Sequence, residues 1–410
     1  MPSREVATAN KAGGSAEKWL EAVLSAWEMG GQAAVSARSL AQLAGIPASS
    51  IYHHFGDLEQ LYVTAHEHAQ ALAADWCGER LDQLVDVPAG PESLPGLLAG
   101  LIDDWCEGQR ALAFAWRECQ LLVARDPRYG AIAQRWRALW VGFWQQVCDR
   151  LGFPDKALLT ERLFDGESFL HMMRWRRSVD RAALDELCRG WGNWLRGELA
   201  GPAPWRDMAR ACAERSAPLP EQRDETAERI AAAAAAIVAR GGVAGVTHRA
   251  VAAEAGLTLG VVSHKFKTSA DLLGSAFEVI YRRNVPTAEL AAELEAATAG
   301  DEGWAAAERM GERTNAEEFR LATSELMMVA TRDPALAPFA AQLRYLRGRT
   351  SRLFLQAMLG RGRKVSALDA AIFSSFSIGQ GNAQRGLSEA ERQAEGKAET
   401  EALLAMLRGG

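Results

Sequence analysis

Two short stretches of this sequence are dense in polar side chains able to hydrogen-bond a partner. In SSIYHHF (49 to 55) the set is Ser49, Ser50, Tyr52, His53 and His54; in LGVVSHKF (259 to 266) it is Gly260, Ser263, His264 and Lys265, beside Leu259, with Lys267 following the Phe. Hydroxyls, a phenol, imidazoles and an ammonium head at such positions can hydrogen-bond phosphate oxygens or base edges. The bland alternative for each is a solvated helix face. Arg38 and Arg249 precede the two stretches at matched positions and add a cation to each. No comparable set exists for catalysis. Cys77, Cys106, Cys119, Cys148, Cys188 and Cys212 are far apart with no CxxC pair and no clustered His, which argues against a zinc site or a disulfide scaffold. With no Gly-rich phosphate loop and no nucleophile motif, neither an enzyme nor a cofactor is expected.

The elements that must position these side chains are legible from caps and stops. VSARSLAQLAG opens with Ser36 as an N-cap and closes at Gly45; Ile46-Pro47-Ala48 makes a turn, and the 49 to 55 segment is a second short helix. VTHRAVAAEAG repeats the design with Thr247 as cap and Gly256 as stop, followed by a turn at Gly256-Leu257-Thr258. Each pair has the geometry that lays one helix in a DNA major groove. Leu40, Ile51 and Phe55 in the first copy, with Val251, Val262 and Phe266 in the second, are expected to face inward.

The two copies belong to a longer self-similarity. Sliding the sequence by 211 residues pairs AEK (16 to 18) with AER (227 to 229), Gly30-Gly31 with Gly241-Gly242, Arg38 with Arg249, His53 with His264 and Leu61 with Leu272. Farther on, ECQLLVARDP (118 to 127) meets ELMMVATRDP (325 to 334) at an offset of 207. Two homologous halves are expected, joined by a connector at residues 201–224, which holds Pro202, Pro204, Pro218 and Pro220 around a short helix. Some 25 residues could span up to about 80 Å if extended. Neither half shows β alternation, and apolar residues such as Trp19, Leu20, Val23, Leu24 and Trp27 recur at helical spacing, so the fold class is all-α.

The pattern [ST]-x-R-x-[LV]-A-x-x-A-G-[IL]-x-x-[SG]-x-[IV]-x-H-x-F, present twice over about 45 residues each, resembles the TetR family of transcriptional regulators. The resemblance implies three-helix DNA-binding heads at residues 16–62 and 225–273. It also implies helical bodies for effector binding and dimerisation at 63–200 and 274–410, behind a flexible leader at 1–15. It departs from the family at Gly56, where a Lys is usual, as at Lys267; Ser263 also replaces a usual aromatic. Family members act as homodimers that bind a double-stranded DNA operator, so a chain with two halves would act as a single-chain pseudo-dimer. It would be a ligand-responsive repressor, and its unlike recognition segments would suit an asymmetric operator. Candidate dimer helices are 157–173 with 182–195 and 366–381 with 388–407, where Ser366 to Asp369 and Ser388 to Glu391 form capping boxes and Gly166, Ser168, Ser375 and Gly379 permit close crossing.

Twelve of the 13 tryptophans fall within the first 205 residues; only Trp304 lies later. Trp105, Trp116, Trp136, Trp140, Trp144 and Trp175 are expected on body helices, where aromatic walls suit an apolar or aromatic small-molecule effector or simply pack the core. Glu118 and Glu325 could orient a ligand or serve the packing.

The remaining bounds are global. At 410 residues, 48% hydrophobic and 24% charged, the chain should form more than one domain. No apolar run reaches a membrane-spanning length and the N-terminus lacks a signal h-region, so a cytoplasmic location is expected. The net charge of −6 gives no global polyanion signature. It favours an alternative in which the heads have lost DNA binding and the chain is a small-molecule-binding or protein-interaction module.

Overall fold

Helix is the only regular secondary structure among the described residues of the computed structural model, which are 4–216, 223–283, 317–333, 336–360 and 362–408. In chain order the α-helices are α1 (Arg4–Gly30), α2 (Ala37–Ala44), α3 (Ser49–Phe55), α4 (Leu58–Asp82), α5 (Leu94–Gly108), α6 (Arg110–Leu122), α7 (Gly130–Leu151), α8 (Ala157–His171), α9 (Arg177–Leu195) and α10 (Pro204–Arg215). They continue as α11 (Glu225–Gly241), α12 (His248–Ala255), α13 (Leu259–Lys265), α14 (Ser269–Arg283), α15 (Glu317–Arg332), α16 (Ala337–Tyr345), α17 (Arg349–Leu359), α18 (Ala367–Ala383) and α19 (Glu389–Arg408). None is long and apolar enough to cross a membrane. Trp304 and much of the segment after α14 lie outside the described residues. Because α1 begins at Arg4, the expected leader is largely helical.

The caps act as the sequence indicates. Ser36 accepts the Ser39 N–H in a reciprocal capping box, Thr247 accepts the Ala250 N–H, and Gly45 and Gly256 end their helices in the left-handed conformation. Trp19, Val23 and Trp27 of α1 are fully buried, and Ile230, Ala234 and Val238 of α11 repeat this. Leu40, Ile51, Val251, Val262 and Phe266 are buried as expected. Phe55 is only half-buried: it ends α3 just before Gly56, whose φ of +82° turns the chain away.

α8 is buried around nearly its whole circumference, and α18 crosses it at glycines. A Cβ on Gly166 would sit 1.8 Å from the Ser375 carbonyl oxygen, and one on Gly379 would sit 1.9 Å from that of Arg162. Trp194 Nε1 and the Ala200 N–H both donate to Asp369, at 2.8 and 2.7 Å, so the Ser366–Asp369 capping box also fastens the end of α9. Arg162 of α8 donates to Glu399 of α19 at 2.9 Å. These four helices pack together, as the candidate dimer helices were expected to.

The short helix expected in the connector forms as α10 and is docked. The Glu186 carboxylate of α9 accepts the Trp205 and Arg206 N–H groups at 2.9 and 2.8 Å, satisfying donors that the start of α10 leaves open. Ala209 and Ala213 of α10 then bury against Ala183, Ala341 and Tyr345 in a small second core.

One buried group makes the first core pH-sensitive. His66 of α4 stacks on Trp27 at 4.2 Å, has no partner for either ring nitrogen among the described residues, and is held down to about 3 by desolvation. Its imidazole is neutral when folded but protonates below about 6.5 when unfolded, so stability is lost as pH falls from about 6.5 toward 3. The matched position is Phe277, also buried. His66→Phe should therefore remove about 2 kcal/mol of the stability difference between pH 7 and pH 5. Urea unfolding at both pH values checks this; an unchanged difference would contradict it.

Candidate nucleic-acid interface

Both helix pairs are built with their second helix facing out. On α3, Ser49, Tyr52 and His53 are exposed, Tyr52 at 63%; on α13, Gly260, Ser263 and His264 are exposed at the same i, i+3, i+4 register. The opposite faces are pinned by Ile51 and Val262, both essentially inaccessible. Arg38, Arg249, Lys265 and Lys267 are also exposed, and His54 is half-buried.

Two of the expected contacts are committed elsewhere. The Ser50 hydroxyl accepts from Trp19 Nε1 at 3.0 Å and donates to the Pro47 carbonyl at 3.0 Å, so it holds α3 to α1. Lys265 is ion-paired with Asp224, the N-cap of α11, which is held below the usual carboxylate range chiefly by that hydrogen bond. Arg38, Arg249 and Lys267 make no ion pair among the described residues. Sequence reasoning missed His248, whose Nε2 hydrogen-bonds the Phe266 carbonyl at 2.8 Å across α12 and α13. It also missed exposed Leu43 and Val261. A His directly after an N-cap was the available signal for the first.

The two faces differ electrostatically. Residues 16–62 hold two Lys or Arg against five Asp or Glu, whereas 225–273 hold five against four. The first segment is therefore net acidic and the second slightly basic.

Five of the six tryptophans expected on body helices join one aromatic cluster, and Trp175 does not. Trp105, Trp116, Trp136, Trp140 and Trp144 are buried, with Trp140 Nε1 and the indole N–H groups of Trp105, Trp136 and Trp144 lacking acceptors among the described residues. Trp175 is not on a body helix: it sits in the bend between α8 and α9, half-buried, 5.7 Å from the Tyr345 ring. Glu118 is paired with Arg332 at 2.5 Å.

Beside the cluster lies a cavity of about 70 Å³ whose walls include Trp116, Trp136 and Trp140 and whose polar side includes Gln120, Asp165, Asn382 and Arg385. Trp105 is not part of it. Arg117 pairs with Asp165, which also accepts from Gln120 and Asn382 at 2.8 and 2.9 Å, so residues far apart in sequence close this side. A drug-sized ligand needs roughly 300 Å³ or more, so one could enter only if these side chains part. Burial pushes the Cys77, Cys119 and Cys148 thiols up to about 12, leaving them unreactive, and no cluster among the described residues could hold a metal ion.

In comparisons with known proteins, the chain matches no family model and no curated protein.

Proposed function

We propose that this chain is a sequence-specific DNA-binding transcriptional regulator of the TetR type, two heads and two bodies carried by one chain. The observation that carries the reading is the pair of helix–turn–helix units exposing the same three positions, 49, 52 and 53 against 260, 263 and 264. The α8 and α18 crossing supports an intramolecular pseudo-dimer, because small residues meet there from both halves. The side chains on the two faces differ, Ser, Tyr and His against Gly, Ser and His, which suits an asymmetric operator. In this reading an aromatic small molecule opens the tryptophan-lined cavity, and operator affinity falls as the heads shift.

A second reading is a binding module without DNA affinity, favoured by the acidic excess of the first head. Alanine substitutions on an operator fragment selected from source DNA separate the two. Tyr52→Ala should weaken binding by roughly 1 kcal/mol or more with thermal stability unchanged, and Lys267→Ala should lower the salt slope by about one. Loss of stability with unchanged affinity would mean that these side chains pack and do not touch DNA.

A further inference from the structure

Gly31 and Gly242 share one backbone conformation, φ 67° with ψ −164° and φ 76° with ψ 178°, a region essentially confined to glycine. Each follows the first helix of a head, and each rests on an ion pair. A Cβ at Gly31 would lie 2.7 Å from both Glu118 Oε1 and Arg332 Nη1; one at Gly242 would lie 2.8 Å from Glu325 Oε1 and 3.1 Å from Arg125 Nη1.

The pairs are crossed. Arg332 Nη2 meets Glu118 Oε1 at 2.5 Å and Arg125 Nη1 meets Glu325 Oε1 at 2.6 Å, with all four side chains 23% exposed or less. Glu118 and Arg125 come from ECQLLVARDP, while Glu325 and Arg332 come from ELMMVATRDP, so each bridge takes its acid from one matched segment and its base from the other. That is the reciprocal pattern of a two-fold contact. The first head is gripped further: Arg110 lies 3.6 Å from Glu28, donates to the Thr331 carbonyl at 3.2 Å, and joins Arg332 in stacking on Phe114. The positions matching Glu28 and Phe114 are Ala239 and Leu321.

We infer that Glu118, Arg125, Glu325 and Arg332 are positioning residues that seat each head on both halves of the chain at once. Neither Gly31 nor Gly242 can move without disturbing a bridge that spans the halves, so a displacement of α6 or α15 reaches both heads together. The first head, with its extra Arg110 and Phe114 contacts, is the more tightly seated. The inference rests on the head-and-body division proposed above but not on DNA binding.

The test is a head-to-head distance measurement. Spin labels at Gln42→Cys and Ala253→Cys, exposed matched positions on α2 and α12, are read by pulsed dipolar spectroscopy in the full chain carrying Cys212→Ser. One narrow distribution is expected. Arg125→Ala and the milder Glu118→Gln should each make it about twofold wider, and Arg125→Glu with Glu325→Arg should narrow it again by restoring the pair. An unchanged width in both single variants, each folded by circular dichroism, overturns the inference. So does a failure of the charge exchange to narrow the distribution. Because no DNA is present, these outcomes stand apart from whether the chain binds an operator.

Discussion

Gly379→Ala should destabilise the chain by several kcal/mol, and Gly166→Ala by a similar amount. The new methyl at 379 would stand 1.9 Å from the Arg162 carbonyl oxygen, and the one at 166 would stand 1.8 Å from that of Ser375. Both obstacles are helix backbone, which cannot swing aside as a long side chain can. Overpacking of a rigid core costs about 1–3 kcal/mol and more where backbone must separate. Thermal unfolding of the two variants gives the answer; melting temperatures equal to that of the parent would mean that α8 and α18 do not cross at these residues.

Arg117→Ala is expected to cost about 3–5 kcal/mol, because it strips the partner from a buried carboxylate. Arg117 is 1% exposed, pairs with Asp165, donates to the Ser168 hydroxyl at 2.7 Å and lies 3.9 Å from the Trp116 ring. Replacing both charges, Arg117→Met with Asp165→Leu, should recover only part of the loss, since the ion pair is exchanged for apolar groups while Gln120 and Asn382 lose the carboxylate that accepts from them at 2.8 and 2.9 Å. Urea midpoints of the single and double variants decide. A single variant as stable as the parent would show the pair to be energetically idle.

Local signals carried much of the fold. Ser36, Thr247 and Ser366 accept backbone N–H groups three residues on, which requires only the right residue before an apolar run, so their helices could be read one at a time. The inward set at Leu40, Ile51, Val251 and Val262 followed from spacing alone. Buried charge was illegible for the opposite reason. Glu161, Arg162, Asp165 and Glu167 would read as a solvated stripe on α8, yet all are buried, because their partners include Glu399, Asn382 and Ser375, more than 200 residues away. Burial raises the Glu161 carboxyl, with Arg162 opposing. Likewise Lys265 looked like a DNA-facing cation because its partner, Asp224, lies 41 residues earlier. The crossed bridges did leave a trace: Glu118 to Arg125 and Glu325 to Arg332 have the same seven-residue spacing in matched segments. Nothing in that spacing says that the pairs exchange partners.

The most direct measurement is equilibrium binding of the purified full chain to a selected operator duplex at several salt concentrations, with the mass of the complex determined alongside. One chain per duplex, and an affinity that falls steeply as salt rises with several phosphate contacts' worth of slope, is the expected result. Two chains on each operator would contradict the single-chain arrangement. Salt-independent or undetectable binding to every duplex would contradict DNA recognition itself.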